Sequence, residues 1–299
     1  MTKLQNVVLS LLFAAFTAAP NGSAQTVPAL TVQEVLSRNI NGERAQQDRP
    51  IAHKVIGNIY YVGTETLSSW LITTPQGHIL INSTFERDVP VVKSSVEKLG
   101  FSFKDIKILL TSHGHIDHVE GDAMVKELTG AQVMVMDEDV VVEQKITPGG
   151  KAHPIDKVLH HLDEVALGGT TLVAHLTPAH TPGCTTWTMR TDEGGKTYNV
   201  VMLGCGLGTG RLVDENGKVT KEVDQYIASF RYLRSLPCDV FLAAHGPQYN
   251  LMAKYANVGK TPNPFIDPEG YKTELDNWER FFIAQLSEQL RASLNAKPK

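Results

Sequence analysis

Hydrophobic positions in the first half of the chain alternate between short apolar runs and longer stretches with helical spacing. Runs of four or five residues bounded by turn residues are typical of strands, and apolar residues spaced three or four apart are typical of helices. The predicted elements of this half are strands at 58–62, 70–73, 78–82, 106–110 and 132–136, and helices at 89–99 and 119–128.

The second half of the chain has the same kind of hydrophobic pattern. Strands are predicted around 165–167 and at 170–174, 186–189, 198–203 and 238–243. Two helical stripes complete the pattern: Val223, Ile227, Phe230 and Leu233, then Leu275, Trp278, Phe282, Leu286, Leu290 and Leu294. Strands that open each half and helices that follow them would bury this pattern as two sheets with helices outside. The predicted fold class is therefore α/β, a four-layer αββα sandwich, with residues 25–299 forming one domain.

The N-terminus has a separate pattern. A polar start with Lys3 leads into an apolar run at 7–19, which Pro20 ends before the small residues at 22–24. This is typical of a signal peptide, so we expect residues 1–24 to be cleaved and the protein to be periplasmic or secreted. The alternative is a membrane anchor, but the run is shorter than the roughly 20 apolar residues that a span needs.

The composition narrows the possible partners. The 299 residues are 42% hydrophobic and 20% charged, with a formal net charge of −4, as in an ordinary globular protein. A nucleic-acid binder would need a basic face, so we expect no nucleic-acid partner. We also expect no membrane partner, and a monomer that acts on a small molecule. The three cysteines, Cys184, Cys205 and Cys238, are an odd number, which leaves at least one thiol free in a monomer.

Four potential metal ligands fall within six residues after the strand at 106–110. They are His113, His115, Asp117 and His118, and Gly114 allows the tight fold that lets their side chains converge. Imidazole and carboxylate suit zinc. Such groups are costly to bury unpaired, so packing does not explain the cluster. His113 and His115 can face one metal ion, and Asp117 and His118 a neighbouring one.

Two further histidines follow strands of the second half. His180 lies after the strand at 170–174 in a Pro/Gly-rich loop, and His245 ends the strand at 238–243. Strand ends from both halves would thus bring ligands to one edge of the scaffold. We expect the remaining histidines to be hydrogen-bonded or solvent-facing residues without a metal role; these are His53, His78, His153, His160, His161 and His175.

In order and spacing, these motifs resemble the metallo-β-lactamase superfamily. The run H-x-H-x-D-H at 113–118, the run H-T-P-G-C-T-T-W at 180–187 and a strand ending A-H-G at 244–246 carry the resemblance, which extends over about 56–249. It implies a zinc hydrolase. Many hydrolases of the superfamily other than the β-lactamases have a metal-bridging aspartate in a Gly-Asp step, where this chain has Gly204-Cys205. This departure favours the zinc β-lactamases, and the third subclass is the most similar.

The resemblance also implies how the site is divided. Two zinc ions are expected, one held by His113, His115 and His180, the other by Asp117, His118 and His245. Asp117 would in addition be catalytic, orienting a zinc-activated water for attack on the lactam carbonyl and relaying a proton. Cys205 has two interpretations that the sequence leaves open: a disulfide with Cys184, or a position adjacent to the second zinc ion.

The substrate remains the open part of this prediction. Related enzymes place hydroxyl side chains after the Cys205 position to hold the substrate carboxylate, and only Thr209 offers one here. The expected function is zinc-dependent hydrolysis of the β-lactam amide bond. The alternatives are a hydrolase of a thioester or lactone, and a non-catalytic, exported zinc-binding protein.

Overall fold

The structure is a computed structural model that describes residues 49–206 and 210–295. The predicted signal peptide lies outside these residues. None of the described helices is both long and apolar enough to span a bilayer. That residues 25–299 form a single domain stays a prediction.

The first sheet is built by the first half of the chain. Its strands are β1 (His53–Ile56), β2 (Ile59–Tyr61), β3 (Trp70–Thr74), β4 (Gly77–Ile81), β5 (Ile106–Leu110), β6 (Gln132–Met136) and β7 (Lys157–Leu159). They lie side by side in chain order. Pairs from β1 to β4 are antiparallel, and pairs from β4 to β7 are parallel.

The second sheet is built by the second half. Its strands are β8 (Glu164–Leu167), β9 (Thr170–Leu176), β10 (Thr185–Glu193), β11 (Lys196–Leu203) and β12 (Val240–Ala243). The spatial order is β12-β11-β10-β9-β8. Only the β11–β12 pair is parallel. Its parallel strand ends therefore deliver Gly204 and Ala244 to the same edge.

Each inner strand of the first sheet is apolar on both faces, as expected for a sheet covered on both sides. On β3, Trp70 and Ile72 belong to the core that continues into the second sheet, while Leu71 packs into a separate outer core. On β4, Leu80 likewise faces the outer core. The strands therefore read as continuous apolar runs because both sides of this sheet are buried.

The described residues form seven α-helices. They are α1 (Val89–Lys98), α2 (Ile116–Val119), α3 (Asp122–Thr129), α4 (Val140–Glu143), α5 (Lys221–Ser235), α6 (Leu251–Tyr255) and α7 (Pro268–Asn295). Helices α1 and α3 pack in the outer core of the first sheet, and α5 and α7 pack in the core that includes the second sheet. The predicted αββα sandwich is confirmed.

One predicted helix is wrong in its bounds. A single helix was expected over 119–128, but α2 ends at Val119 and α3 begins at Asp122. The break is a point of close approach: a Cβ atom added to Gly121 would lie 2.5 Å from a methyl carbon of Val89. The Gly121 N–H also donates to the Thr84 carbonyl (3.0 Å). The chain is thereby held against the loop after β4, and α2 stays a single turn.

Candidate metal centre

The turn that follows β5 is fixed by both halves of the fold. Trp187 of β10 donates its indole N–H to the Thr111 carbonyl (3.0 Å), and the Thr185 N–H donates to the Ser112 carbonyl (2.8 Å). Gly114 is needed at this turn because an added Cβ would lie 3.0 Å from side-chain carbons of Val142 and Glu143. The second sheet and α4 therefore set the position of the histidines at 113–118.

The first ligand group consists of His113, His115 and His180. Their candidate ligand atoms all lie within 4.8 Å of one another. Nε2 of His180 is 3.1 Å from Nδ1 of His115. Nδ1 of His113 donates to the Gly204 carbonyl (2.8 Å), and its Nε2 is buried with no hydrogen-bond partner. A histidine that donates through one nitrogen and leaves the other bare is the arrangement of a metal ligand.

The second ligand group consists of Asp117, His118 and His245. Oδ2 of Asp117 lies 3.6 Å from Nε2 of His118 and 3.8 Å from Nε2 of His245. The two Nε2 atoms are 3.2 Å apart. On the far side of the His118 ring, the Asn82 amide lies 3.2 Å from Nδ1 and accepts a hydrogen bond from the Ser112 N–H (2.9 Å). The ring is thus oriented by the loop after β4.

The electrostatics keep these groups in the form that binds metal. Burial lowers the pKa of His118 to about 3 and that of His180 to about 3. Burial and then the neighbouring imidazoles lower the pKa of His113 well below its usual value. For Asp117, burial acts to raise the pKa, but the imidazoles of His118 and His245 outweigh it and the pKa falls. At neutral pH, therefore, Asp117 is a carboxylate and four of the imidazoles are neutral, namely those of His113, His118, His180 and His245.

Access to solvent differs among the ligands. His113, His118 and His245 are buried, Asp117 and His180 are half-buried, and His115 is exposed. Ile116, between two ligands, has 50% of its surface exposed, which is high for a large apolar residue. The site is therefore held by buried side chains on one side and open on the other, as a catalytic metal site requires.

Asp139 connects the two loops that carry the first ligand group. Its Oδ2 accepts hydrogen bonds from the Gly114 N–H (2.8 Å) and the Thr181 hydroxyl (2.7 Å), and its Oδ1 accepts one from the Gly183 N–H (2.7 Å). Its side chain is buried. Sequence reasoning missed this residue: it is the last of three consecutive acids, and nothing local separates it from exposed Asp137.

A different set of contacts holds His245. Leu67, in the loop after β2, pairs with His245 through an isolated β-bridge. The Gly246 N–H donates to the Thr66 carbonyl (2.8 Å) and the Ser68 N–H to the Ala244 carbonyl (3.0 Å). The last ligand is thus fixed by a loop of the first half of the chain.

Cys184 and Cys205 form a disulfide, with Cα atoms 6.1 Å apart. This decides between the two interpretations of Cys205 in favour of the disulfide. Cys238 is free, as the odd count required. Thr209, the predicted contact for the substrate carboxylate, lies outside the described residues.

The residues present fit two zinc ions. Two sets of three donors are present. The first is the buried Nε2 of His113 with the close ring nitrogens of His115 and His180, and the second is Asp117 with His118 and His245. Nitrogen and carboxylate oxygen are the donors that zinc takes, and three protein ligands leave a coordination position open. The six side chains predicted as ligands are brought together, three in each group.

The other histidines mostly follow expectation. His175 is hydrogen-bonded to the hydroxyls of Tyr232 and Thr188 (2.7 Å each), and His160 and His161 are exposed. His153 is buried between two carboxylates, with Nε2 3.3 Å from Oδ2 of Asp122 and Nδ1 3.7 Å from Oε2 of Glu143. Its carboxylate neighbours, Asp122 and Glu143, are distant in the sequence, so no local pattern indicated them.

The αββα fold and two adjacent ligand groups at one edge of its sheets define a protein with a dinuclear metal centre. The sequence profile of the metallo-β-lactamase superfamily matches residues 62–245, and the chain belongs to this superfamily. Among solved structures, the chain is 42% identical to the metallo-β-lactamase FEZ-1 of Legionella gormanii, with a TM-score of 0.74. That match covers 81% of this chain and 98% of the other.

Two further structures sharpen the resemblance. The subclass B3 metallo-β-lactamase BJP-1 of Bradyrhizobium japonicum is 32% identical, with a TM-score of 0.77, over 84% of this chain and 99% of that one. The class B3 di-zinc metallo-β-lactamase LRA-12 from an Alaskan soil metagenome is 29% identical, with a TM-score of 0.71, over 82% and 97% of the chains. The predicted resemblance to the third subclass is confirmed.

Proposed function

We propose that the chain inactivates β-lactam antibiotics by zinc-dependent hydrolysis of the lactam amide bond. The proposal rests on the two ligand groups of three residues each, which lie beside the Gly204-Cys205 step. At that step Cys205 is bound in a disulfide. No aspartate bridges the two groups at that step, unlike in the thioesterase-like and lactonase-like hydrolases of the superfamily. Similarity to subclass B3 enzymes supports the same conclusion.

His113, His115 and His180 would hold one zinc ion, and Asp117, His118 and His245 the other. When bound, the ions supply Lewis acidity, which polarises a carbonyl and lowers the pKa of a water molecule from 15.7 to about 7. The chain's own task is to keep the buried imidazoles neutral and to orient them. Burial lowers the pKa of His113 and of His118, and the contacts of His113 with Gly204 and of His118 with Asn82 orient these two rings.

Asp117 has a second role beyond binding. Because its pKa is lowered, the carboxylate is ionised at neutral pH and can accept a hydrogen bond from the attacking water, orient it and take up its proton. Since Asp117, His115 and His180 are the ligands that reach solvent, the substrate approaches from their side. The hydroxyl of Thr209 would hold the substrate carboxylate.

The setting of the enzyme follows from the sequence. The N-terminal pattern at 1–24 supports export to the periplasm or the medium, where the Cys184–Cys205 disulfide is stable. The net charge of −4 supports a protein without nucleic-acid partners. We propose that it acts as a monomer on a small-molecule substrate.

The test is hydrolysis of a carbapenem, nitrocefin and a thioester by the purified protein, with and without EDTA. We expect lactam cleavage that chelation abolishes and zinc restores. His113→Ala is expected to remove this activity, whereas the matched variant His160→Ala, at an exposed histidine that belongs to neither ligand group, is expected to keep it. Thioester cleavage without lactam cleavage would instead assign the site to the other class of substrate.

A further inference from the structure

A second cluster of ligand-type side chains lies behind the metal centre. Asp122 begins α3, Glu143 ends α4, and His153 lies in the loop before β7. We call these three residues the buried triad. Their side chains have 0% exposure, and their candidate ligand atoms all lie within 4.8 Å of one another.

The polar atoms of the buried triad are poorly paired. Oδ2 of Asp122, both carboxylate oxygens of Glu143 and both ring nitrogens of His153 are buried and make no hydrogen bond of good geometry. Their polar contacts are those between His153 and the two carboxylates, and the Thr111 side chain beside Glu143. Oδ1 of Asp122 accepts a hydrogen bond from the Ser83 hydroxyl (2.6 Å). Buried polar groups are nearly always well paired, so five poorly paired atoms in one buried cluster indicate a further partner.

The triad offers one ligand atom from each residue within 4.8 Å of the others, which leaves room for one ion. Nε2 of His153 lies 3.3 Å from Oδ2 of Asp122, and its other ring nitrogen, Nδ1, lies 3.7 Å from Oε2 of Glu143. Because one ion can bind only one of these two nitrogens, only one of the two separations is that of neighbouring ligands. Two ligands of one tetrahedral zinc ion, at bond lengths of about 2.0–2.2 Å, are roughly 3.3–3.6 Å apart.

The metal centre gives an internal standard for this spacing. There, neighbouring ligand atoms of the two groups lie 3.1, 3.2, 3.6 and 3.8 Å apart. The 3.3 Å separation of His153 Nε2 from Asp122 Oδ2 falls inside this range. The hydrogen-bonded partner of Asp122, at 2.6 Å, does not.

The charge of the triad also calls for a cation. Burial, followed by the nearby carboxylates of Asp122 and Asp139, raises the pKa of Glu143 well above its usual value. Burial raises the pKa of Asp122 as well. Among the described residues, no Lys or Arg forms an ion pair with either carboxylate. A divalent cation would offset both charges and could bind the two carboxylates together with one ring nitrogen of His153.

We propose that Asp122, Glu143 and His153 form a third, structural divalent-metal site that takes zinc and is separate from the metal centre. The bare second oxygen of Glu143 can complete four-coordination by bidentate binding, as closed structural sites require. The bound ion would join α3, α4 and the loop before β7. Because Glu143 packs behind Gly114, the ion would also support the turn that carries His113 and His115.

The test is the zinc content per chain of the zinc-loaded, dialysed protein, measured by mass spectrometry of the metal. We expect Glu143→Gln to hold one zinc ion fewer than wild type, with Asp122→Asn giving the same result. The matched control is Glu127→Gln on α3, the helix that also carries Asp122. Its carboxylate is exposed and paired with Lys151, and we expect this variant to hold as many zinc ions as wild type. Equal zinc content in wild type and both triad variants would overturn the proposal.

A second measurement uses the wild-type protein, so that it does not depend on the folding of any variant. In nitrogen-15 spectra recorded before and after zinc is added, we expect the chemical shift of one ring nitrogen of His153 to change on metal binding, and an unchanged shift would refute the site. A His153 ring protonated on both nitrogens would show that the triad holds a proton between its carboxylates, and would refute the metal site. Neither measurement depends on lactam hydrolysis, so the proposed function stands or falls separately.

Discussion

The two halves of the chain supply the metal centre in different ways. The first half supplies His113, His115, Asp117 and His118 from one turn, so most of their relative geometry is local. The second half supplies His180 and His245 from two loops 65 residues apart in the sequence. These two histidines are placed by contacts with the first half, through Asp139 and through the loop that contains Leu67. A local motif thus concentrates the ligands, and long-range packing completes the site.

The largest expected effect comes from removing a ligand of the turn. His113→Ala deletes a buried Nε2 donor that no neighbouring side chain replaces. We expect hydrolysis to fall by more than the roughly 10- to 100-fold loss that is typical when a partner of a ligand is removed. Steady-state rates at saturating zinc measure the effect. Activity close to wild type would mean that the turn does not hold the catalytic ion.

The next effect probes the link between the halves. Asp139→Asn keeps the size and shape of the side chain but replaces one of its two oxygens with an amide nitrogen. These oxygens accept the hydrogen bonds from Gly114, Thr181 and Gly183. We expect zinc affinity and activity to fall about 10- to 100-fold, as for other residues that orient metal ligands. A zinc-competition titration measures the affinity.

Asp137→Asn, at an exposed acid two residues away, is the matched control and is expected to behave as wild type. An Asp139→Asn variant with unchanged affinity would mean that His180 is placed without this carboxylate.

The disulfide is expected to act on stability more than on chemistry. It closes a loop with a sequence separation of 21, for which the chain-entropy relation gives about 3 kcal/mol. Cys184→Ser with Cys205→Ser should lower the free energy of unfolding by about this amount while the zinc content is retained. Urea unfolding measures it, with Cys238→Ser as the control. Loss of one zinc ion from the double variant would instead assign Cys205 a role at the metal.

The effect with the least consequence for hydrolysis is a gradual dependence of stability on pH, which is expected in the zinc-free protein. His118 and His180 have folded pKa values of about 3, below the ordinary value of 6.5 for an unfolded chain. Between these values the unfolded chain binds more protons, so the free energy of unfolding falls as the pH falls from about 6.5 towards 3. Urea titrations at several pH values check the sign. A stability that rises on acidification over this range would contradict the burial of these rings.

Much of this molecule was predictable because its signals are local. The apolar runs of β3 to β6 predicted four of the seven strands of the first sheet, and the dense turn at 113–118 supplied four of the six candidate ligands. His180 and His245 were predictable from their position at strand ends. The break between α2 and α3 was not, since it depends on the contact of Gly121 with Val89.

Other features were not predictable because their partners are distant. The three donors to Asp139 come from residues 114, 181 and 183, and the buried triad joins residues 122, 143 and 153. In each case an ordinary acid or histidine acquires its role only from residues that folding brings beside it. His153 shows this most clearly, because its sequence context gave it no role.

The most direct test is anomalous diffraction at the zinc edge from crystals of the zinc-loaded protein. The account predicts one peak among His113, His115 and His180 and a second among Asp117, His118 and His245. A map in which either group of three lacks a peak at saturating zinc, or in which another side chain takes the place of His180 or His245, would contradict it.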